Sequence, residues 1–204
     1  AAGGLLHVDA VQALGKIDFN IKELGADLLS VSAHKIGGPP GVGALIMAAN
    51  LNGPPELIRG GGQERGRRAG TENVPAIAGF GAAVRAAMAT REGDMARVES
   101  LRNRLEQGLR QTQGNGQGSV IFSHDVARLP NTTLFGVPGL KAETAIIGFD
   151  LEGIAVSSGS ACSSGKVQPS HVLEAMGFGP ELAKSAIRFS LGWETTEADI
   201  DQAL

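Results

Sequence analysis

An α/β fold is expected for these 204 residues, on three observations. Short apolar runs of strand length are followed by a long stretch in which apolar residues recur every three or four positions, and the two patterns then mix to the end of the chain. The 30 glycines fall in short clusters between those runs, where they read as turns and close backbone approaches and not as a low-complexity tract. A hydrophobic share of 42% beside 19% charged residues is ordinary for a globular protein and allows one large domain or two small ones.

Ala1-Ala2-Gly3-Gly4 reads as a helix end running into a first strand, Leu5 to Val8, that closes at Asp9. A domain rarely begins there, so residues of the same fold are expected before Ala1. Ile21 to Leu24 make a short helix or turn leading into a second strand, Asp27 to Ser32, and Val42 to Met47 form a third. Between the last two lies Ile36-Gly37-Gly38-Pro39-Pro40-Gly41, a rigid turn of residues that fix φ or allow it to be positive. Gly60-Gly61-Gly62 opens a polar, basic loop that runs to Gly70.

From Asn73 the pattern is helical. An alanine-rich stretch to Ala89 gives way after Gly93 to Met95, Val98, Leu101, Leu105 and Leu109, spaced for one helix face. A domain boundary is placed near Gly93, giving domains 1–92 and 93–204. Gly114 to Gly118 ends the helical region. Beyond it, strands are expected at Val120–Phe122, Thr132–Phe135, Ile154–Ser157 and Ile187–Leu191, with helices near Ala142–Leu151, Ser170–Met176 and Thr196–Leu204. No internal repeat is visible.

A net charge of −3 gives no electrostatic reason to expect a nucleic-acid or membrane partner, and the basic run Arg65, Arg67, Arg68 is local and reads as a solvated loop face. No apolar stretch approaches bilayer length and no leader pattern opens the chain, so a cytoplasmic protein is expected. The sole cysteine, Cys162, can form neither an intramolecular disulfide nor a cage of several thiolates. It is either a small buried hydrophobe or a reactive thiol. Its neighbours Ser157-Ser158-Gly159-Ser160 and Ser163-Ser164-Gly165 offer little apolar surface, which favours a mobile loop and the reactive reading.

Two further stretches carry candidate chemistry. In Ser32-Ala33-His34-Lys35 a lysine stands at the end of an expected strand, where α/β proteins tend to place ligands, just after a hydroxyl and an imidazole able to bind phosphate. A lysine in such a place is otherwise a solvated charge. In His7-Val8-Asp9-Ala10-Val11-Gln12 the acid ends a strand, where it either caps the following turn or serves as a functional carboxylate. His34 has no second His or Cys at ligand spacing, so no metal site is expected, and His124 and His171 read as surface or loop residues.

Taken with the runs Gly60 to Asn73 (GGGQERGRRAGTEN) and Ser158-Gly159-Ser160-Ala161-Cys162-Ser163-Ser164-Gly165, those two stretches resemble the cysteine desulfurases of the nitrogen-fixation and iron-sulfur-cluster type, across nearly the whole chain. The resemblance implies the fold type I architecture of transferases that use pyridoxal 5′-phosphate (PLP): part of a large domain with a mixed sheet, then a smaller α+β C-terminal domain carrying the cysteine loop. It implies that Lys35 binds the cofactor covalently, Asp9 pairs with the pyridinium nitrogen, Gln12 bonds the ring hydroxyl oxygen, and Ser32 and His34 hold the phosphate. Thr71 matches a threonine that reaches the phosphate from the partner subunit, which implies a homodimer. Arg188, otherwise a partly exposed arginine on an amphipathic strand, matches the clamp for the substrate carboxylate.

Cys162 would take sulfur from L-cysteine as a persulfide, leaving L-alanine, and the surroundings of this cysteine resemble the branch that donates sulfur to an iron-sulfur scaffold protein. The turn after Lys35 departs from the family, whose members often carry an aromatic residue and a lysine there. The family's glycine-threonine phosphate loop, ring-stacking histidine and ring-hydroxyl asparagine cannot be located, so the chain by itself is expected to be inactive or nearly so. The alternatives are another enzyme of the same fold, such as a selenocysteine lyase or an aminotransferase-like protein, and a non-catalytic dimerisation or scaffold-docking module.

Overall fold

The computed structural model describes residues 3–51, 53, 55–114, 117–158 and 170–204. It divides into two compact units, Ala1–Arg91 and Glu92–Leu204, and the division falls inside one helix.

In the first unit, β1 (His7–Asp9) runs parallel to β2 (Leu28–Ser32), and β3 (Gly43–Met47) pairs antiparallel on the other side of β2. The mixed sheet expected for this half is therefore present. Alternation along β2 buries Leu29 and Val31 on one face, against Ala10, Ile36 and Phe80. Ala83, Val84 and Ala87 join that cluster from the same helix as Phe80, at the spacing of one helix face. Leu28, Ser30 and Ser32 accordingly turn to the opposite face.

The strand ends at Ser32, its expected bound, and Lys35 lies beyond it. At Ala33 the chain enters a 3-10 helix, Ala33–Ile36, and His34 and Lys35 ride on it. Its three-residue period aligns Ala33 and Ile36, both buried, and leaves the two polar residues outward. Gly37 closes this helix in the left-handed region, φ 76°, where a side chain is disfavoured. The expected loop 60–70 contains a four-residue turn, α1 (Gln63–Gly66), with Glu64 and Arg65 at positive φ.

Helix α2 (Val74–Gln111) passes Gly93 without a break. The compositional change read there marks a change in what the helix covers, since Val98, Leu101, Leu105 and Leu109 belong to the core of the second unit. After it comes a short hairpin of β4 (Gln113–Gly114) and β5 (Gln117–Gly118). A four-stranded antiparallel sheet follows, in the order β6 (Val120–Ile121), β7 (Thr132–Gly136), β9 (Ile187–Ser190), β8 (Ser157–Ser158). Phe135 and Phe189 stack across β7 and β9 with ring centroids 5.7 Å apart, and Phe149 meets Phe189 edge-on at 5.2 Å.

Helix α3 (Ala142–Leu151) lies where it was expected. The strand read at Ile154–Ser157 is displaced to Ser157–Ser158, because the Ile154 N–H bonds back to Phe149 O at 2.8 Å and finishes the helix terminus. Helix α4 (His171–Ala175) begins at a Ser170 cap. Helix α5 (Pro180–Lys184), not anticipated from sequence, starts on a proline, a residue suited to the first turn. Helix α6 (Glu197–Ala203) opens with a capping box between Thr196 and Asp199 and buries Ile200.

Candidate cofactor site

Register places the acid. Asp9 pairs with Ser30 across the parallel ladder, so its side chain shares a face with Ser30 and, two residues on, with Ser32. That is the face turned away from Leu29 and Val31. His7 lies on it as well, with Nε2 2.8 Å from Ser30 Oγ. Asp9 is exposed, and its Oδ1 accepts the Val11 N–H at 3.0 Å. The capping role is thus real but engages one oxygen, and no hydrogen bond reaches the other among the described residues.

Ser32 Oγ and His34 Nδ1 lie 2.8 Å apart, so the hydroxyl and the imidazole expected to hold a phosphate meet at one point where β2 passes into the 3-10 helix. Lys35 follows at once and is exposed. Gln12 stands in a helical turn after β1, pinned by the Ala13 and Leu14 amides on Ala10 O at 3.0 and 3.2 Å. Lys16, one turn later, donates to Gln12 Oε1 at 2.9 Å and to Gln12 O at 3.2 Å. Burial, and after it the charge of Lys35, hold the Lys16 amine below the usual lysine value. Sequence reasoning passed over Lys16, although its four-residue spacing from Gln12 was the available signal.

Thr71 lies exposed between α1 and α2 in the first unit. Arg188 is in the second unit on β9, opposite Leu134 and Ser157, and its Nε is buried with no hydrogen-bond partner among the described residues. An orphaned guanidinium nitrogen is costly unless something else accepts from it. Cys162 lies outside the described residues.

A polar cluster that no sequence pattern had singled out is built on α2. Arg128 donates to both oxygens of buried Glu106, at 2.8 and 3.0 Å, and buried Arg102 bonds Leu129 O and Glu99 Oε1 at 2.8 and 3.1 Å. The side chains of Glu99, Arg102, Glu106 and Arg128, with Asn103 and His124, line a cavity of about 510 Å³. Its buried charges satisfy one another, which marks it as a structural network. Among the described residues no group of three or more His, Cys, Asp or Glu side chains is gathered as a metal would need, and no helix is long and apolar enough to cross a membrane.

The sequence model of the aminotransferase class-V family matches residues 1–203. Similar proteins named cysteine desulfurase are found in Gluconacetobacter diazotrophicus, 47% identical, and Bradyrhizobium diazoefficiens, 48% identical, each over 203 residues. These alignments take in 100% of this chain and 50% of each relative, so the chain spans about half the length of the curated relatives it matches. The solved structure of a NifS-like protein from Rickettsia africae superposes with a TM-score of 0.86 at 44% identity, covering 98% of this chain and 51% of that one. A second NifS-like structure gives 0.84 at 38% identity, covering 97% and 49%. With the family pattern running through all but its last residue, the chain belongs to the class-V aminotransferase family.

Proposed function

We propose that the chain is part of a PLP-dependent cysteine desulfurase, which removes sulfur from L-cysteine, releases L-alanine and holds the sulfur as a persulfide on Cys162. The observation that carries this reading is the gathering of Asp9 and the Ser32–His34 pair on one open face of adjacent strand ends, with Lys35 next along the chain. Those groups fit the cofactor chemically: an acid with one oxygen unengaged among the described residues, two polar groups meeting at one point for a phosphate, and an exposed primary amine. The naming of relatives 47% and 48% identical as cysteine desulfurases supports it further.

When bound, PLP supplies an electron sink for charge developing at the substrate α-carbon. Asp9 would keep the ring nitrogen protonated, Gln12 would donate to the ring oxygen, and Ser32 and His34 would hold the phosphate. Lys35 would hold the cofactor covalently, and its amine would carry the α-proton. Arg188 has a buried nitrogen with no partner among the described residues, which suits a residue that clamps the substrate carboxylate. The thiolate of Cys162 attacks the substrate sulfur. A sulfur–sulfur bond forms as the carbon–sulfur bond breaks, carbon is reduced and sulfur oxidised by equal amounts, and no outside oxidant is consumed.

In the same reading the working enzyme is a cytoplasmic homodimer in which Thr71 reaches the partner protomer's phosphate site, and an iron-sulfur scaffold protein accepts the sulfur. The test is mass spectrometry of the full-length protein after exposure to L-cysteine. One added sulfur on Cys162 is expected, with alanine released and both lost in Cys162→Ser. Turnover that survives Cys162→Ser and requires a keto-acid acceptor would overturn the proposal in favour of an aminotransferase.

A further inference from the structure

A lysine side chain ordinarily extends its ammonium into water. Lys16 instead stays half-buried, with no carboxylate partner among the described residues, and gives its hydrogen bonds to a single residue, Gln12. An ammonium has donors only, so the Gln12 atom 2.9 Å from it must be the amide oxygen. The amide NH2 therefore faces the other way.

The turn that carries both residues is held in place from below. Gly15 lies between them with φ +75°, and a Cβ built there would stand 3.0 Å from Ile36 Cγ2 and 3.4 Å from Ala87 Cβ. Because glycine lacks that atom, the Gln12–Lys16 turn seats directly on Ile36, the residue after Lys35. The charge of Lys35 is felt at Lys16, consistent with that proximity.

We propose that Lys16 is a positioning residue: by holding Gln12 Oε1 it commits Gln12 to present its NH2 to an acceptor oxygen on the ligand, selecting a ring whose oxygen is deprotonated. This rests on the PLP reading above, in which Gln12 meets the ring oxygen. Without Lys16 the amide is free to turn over, and its oxygen would then oppose the same ring atom.

The experiment is a double-mutant cycle in the full-length protein, reading the PLP dissociation constant and the absorbance maximum of the bound cofactor. Lys16→Met and Gln12→Ala are each expected to weaken PLP retention about tenfold, the effect of one charge-supported hydrogen bond. Both should displace the absorbance band in the same direction. The double variant is expected to be no worse than the more damaging single one, and Lys16→Arg, which keeps a donor, should restore most of the retention. Additive losses, or an unmoved band in Lys16→Met, would overturn the positioning role while leaving the PLP reading standing. Failure of the unaltered protein to bind PLP would overturn both. If the methionine variant does not fold, the same cycle built on Lys16→Ala, which likewise lacks a donor, gives the answer.

Discussion

Glu106 is the residue where charge and burial oppose each other most sharply. Burial alone would raise its carboxyl, but hydrogen bonds from Arg128 and the charges of Arg128 and Arg102 outweigh that and hold it below the usual glutamate value. A carboxylate lowered in the folded state contributes stability that is fully present above its unfolded pKa and is lost as pH falls through the folded one. Glu106→Gln leaves two guanidinium groups short of a counter-charge and should cost about 3 kcal/mol near neutral pH. The penalty should shrink steadily below the ordinary glutamate range, which urea unfolding at a series of pH values would read directly.

Among the elements, the turn after β1 and the helix α6 make the clearest demands on single positions. Gly15→Ala combines a left-handed backbone with a crowded Cβ, and should cost about 1–2 kcal/mol in thermal unfolding. Because that turn seats on Ile36, the variant should also retain PLP less well than the unaltered full-length protein, measured by dialysis. In α6, Thr196 Oγ1 accepts the Asp199 N–H at 3.3 Å while Asp199 Oδ2 accepts the Thr196 N–H at 2.8 Å. Thr196→Ala removes half of that exchange and should destabilise the second unit by about 1 kcal/mol.

For the whole molecule, the relation to its relatives sets the expectation. The chain aligns with half of each named desulfurase, and its first unit leaves Leu5, Leu6, Leu45 and Ile46 exposed. Apolar surface of that kind is ordinarily covered by further structure. A polypeptide of these 204 residues alone is therefore expected to bind PLP far more weakly than the full-length protein, tested by titrating each with PLP and following absorbance. Equal affinity of the two would show that the residues around Asp9 and Lys35 suffice.

Local rules carried a good part of the molecule into view. Periodicity located α2, α3 and the principal strands, because amphipathic spacing follows from which face must be buried, and the Asp9, Ser32 and Lys35 motifs stood out as short contiguous strings. Tertiary context decided the rest. Lys35 sits on a 3-10 helix because Ala33 and Ile36 must both reach the core, and Gly93 stays helical although the residues on its two sides belong to different cores. The Glu106–Arg128 pair joins residues 22 positions apart, a proximity that no window of sequence contains. Lys16 acquires its meaning only when Gly15 seats its turn on Ile36. Such contacts depend on which surfaces the folded chain brings together, and that information is distributed over the whole polypeptide and held by no single stretch of it.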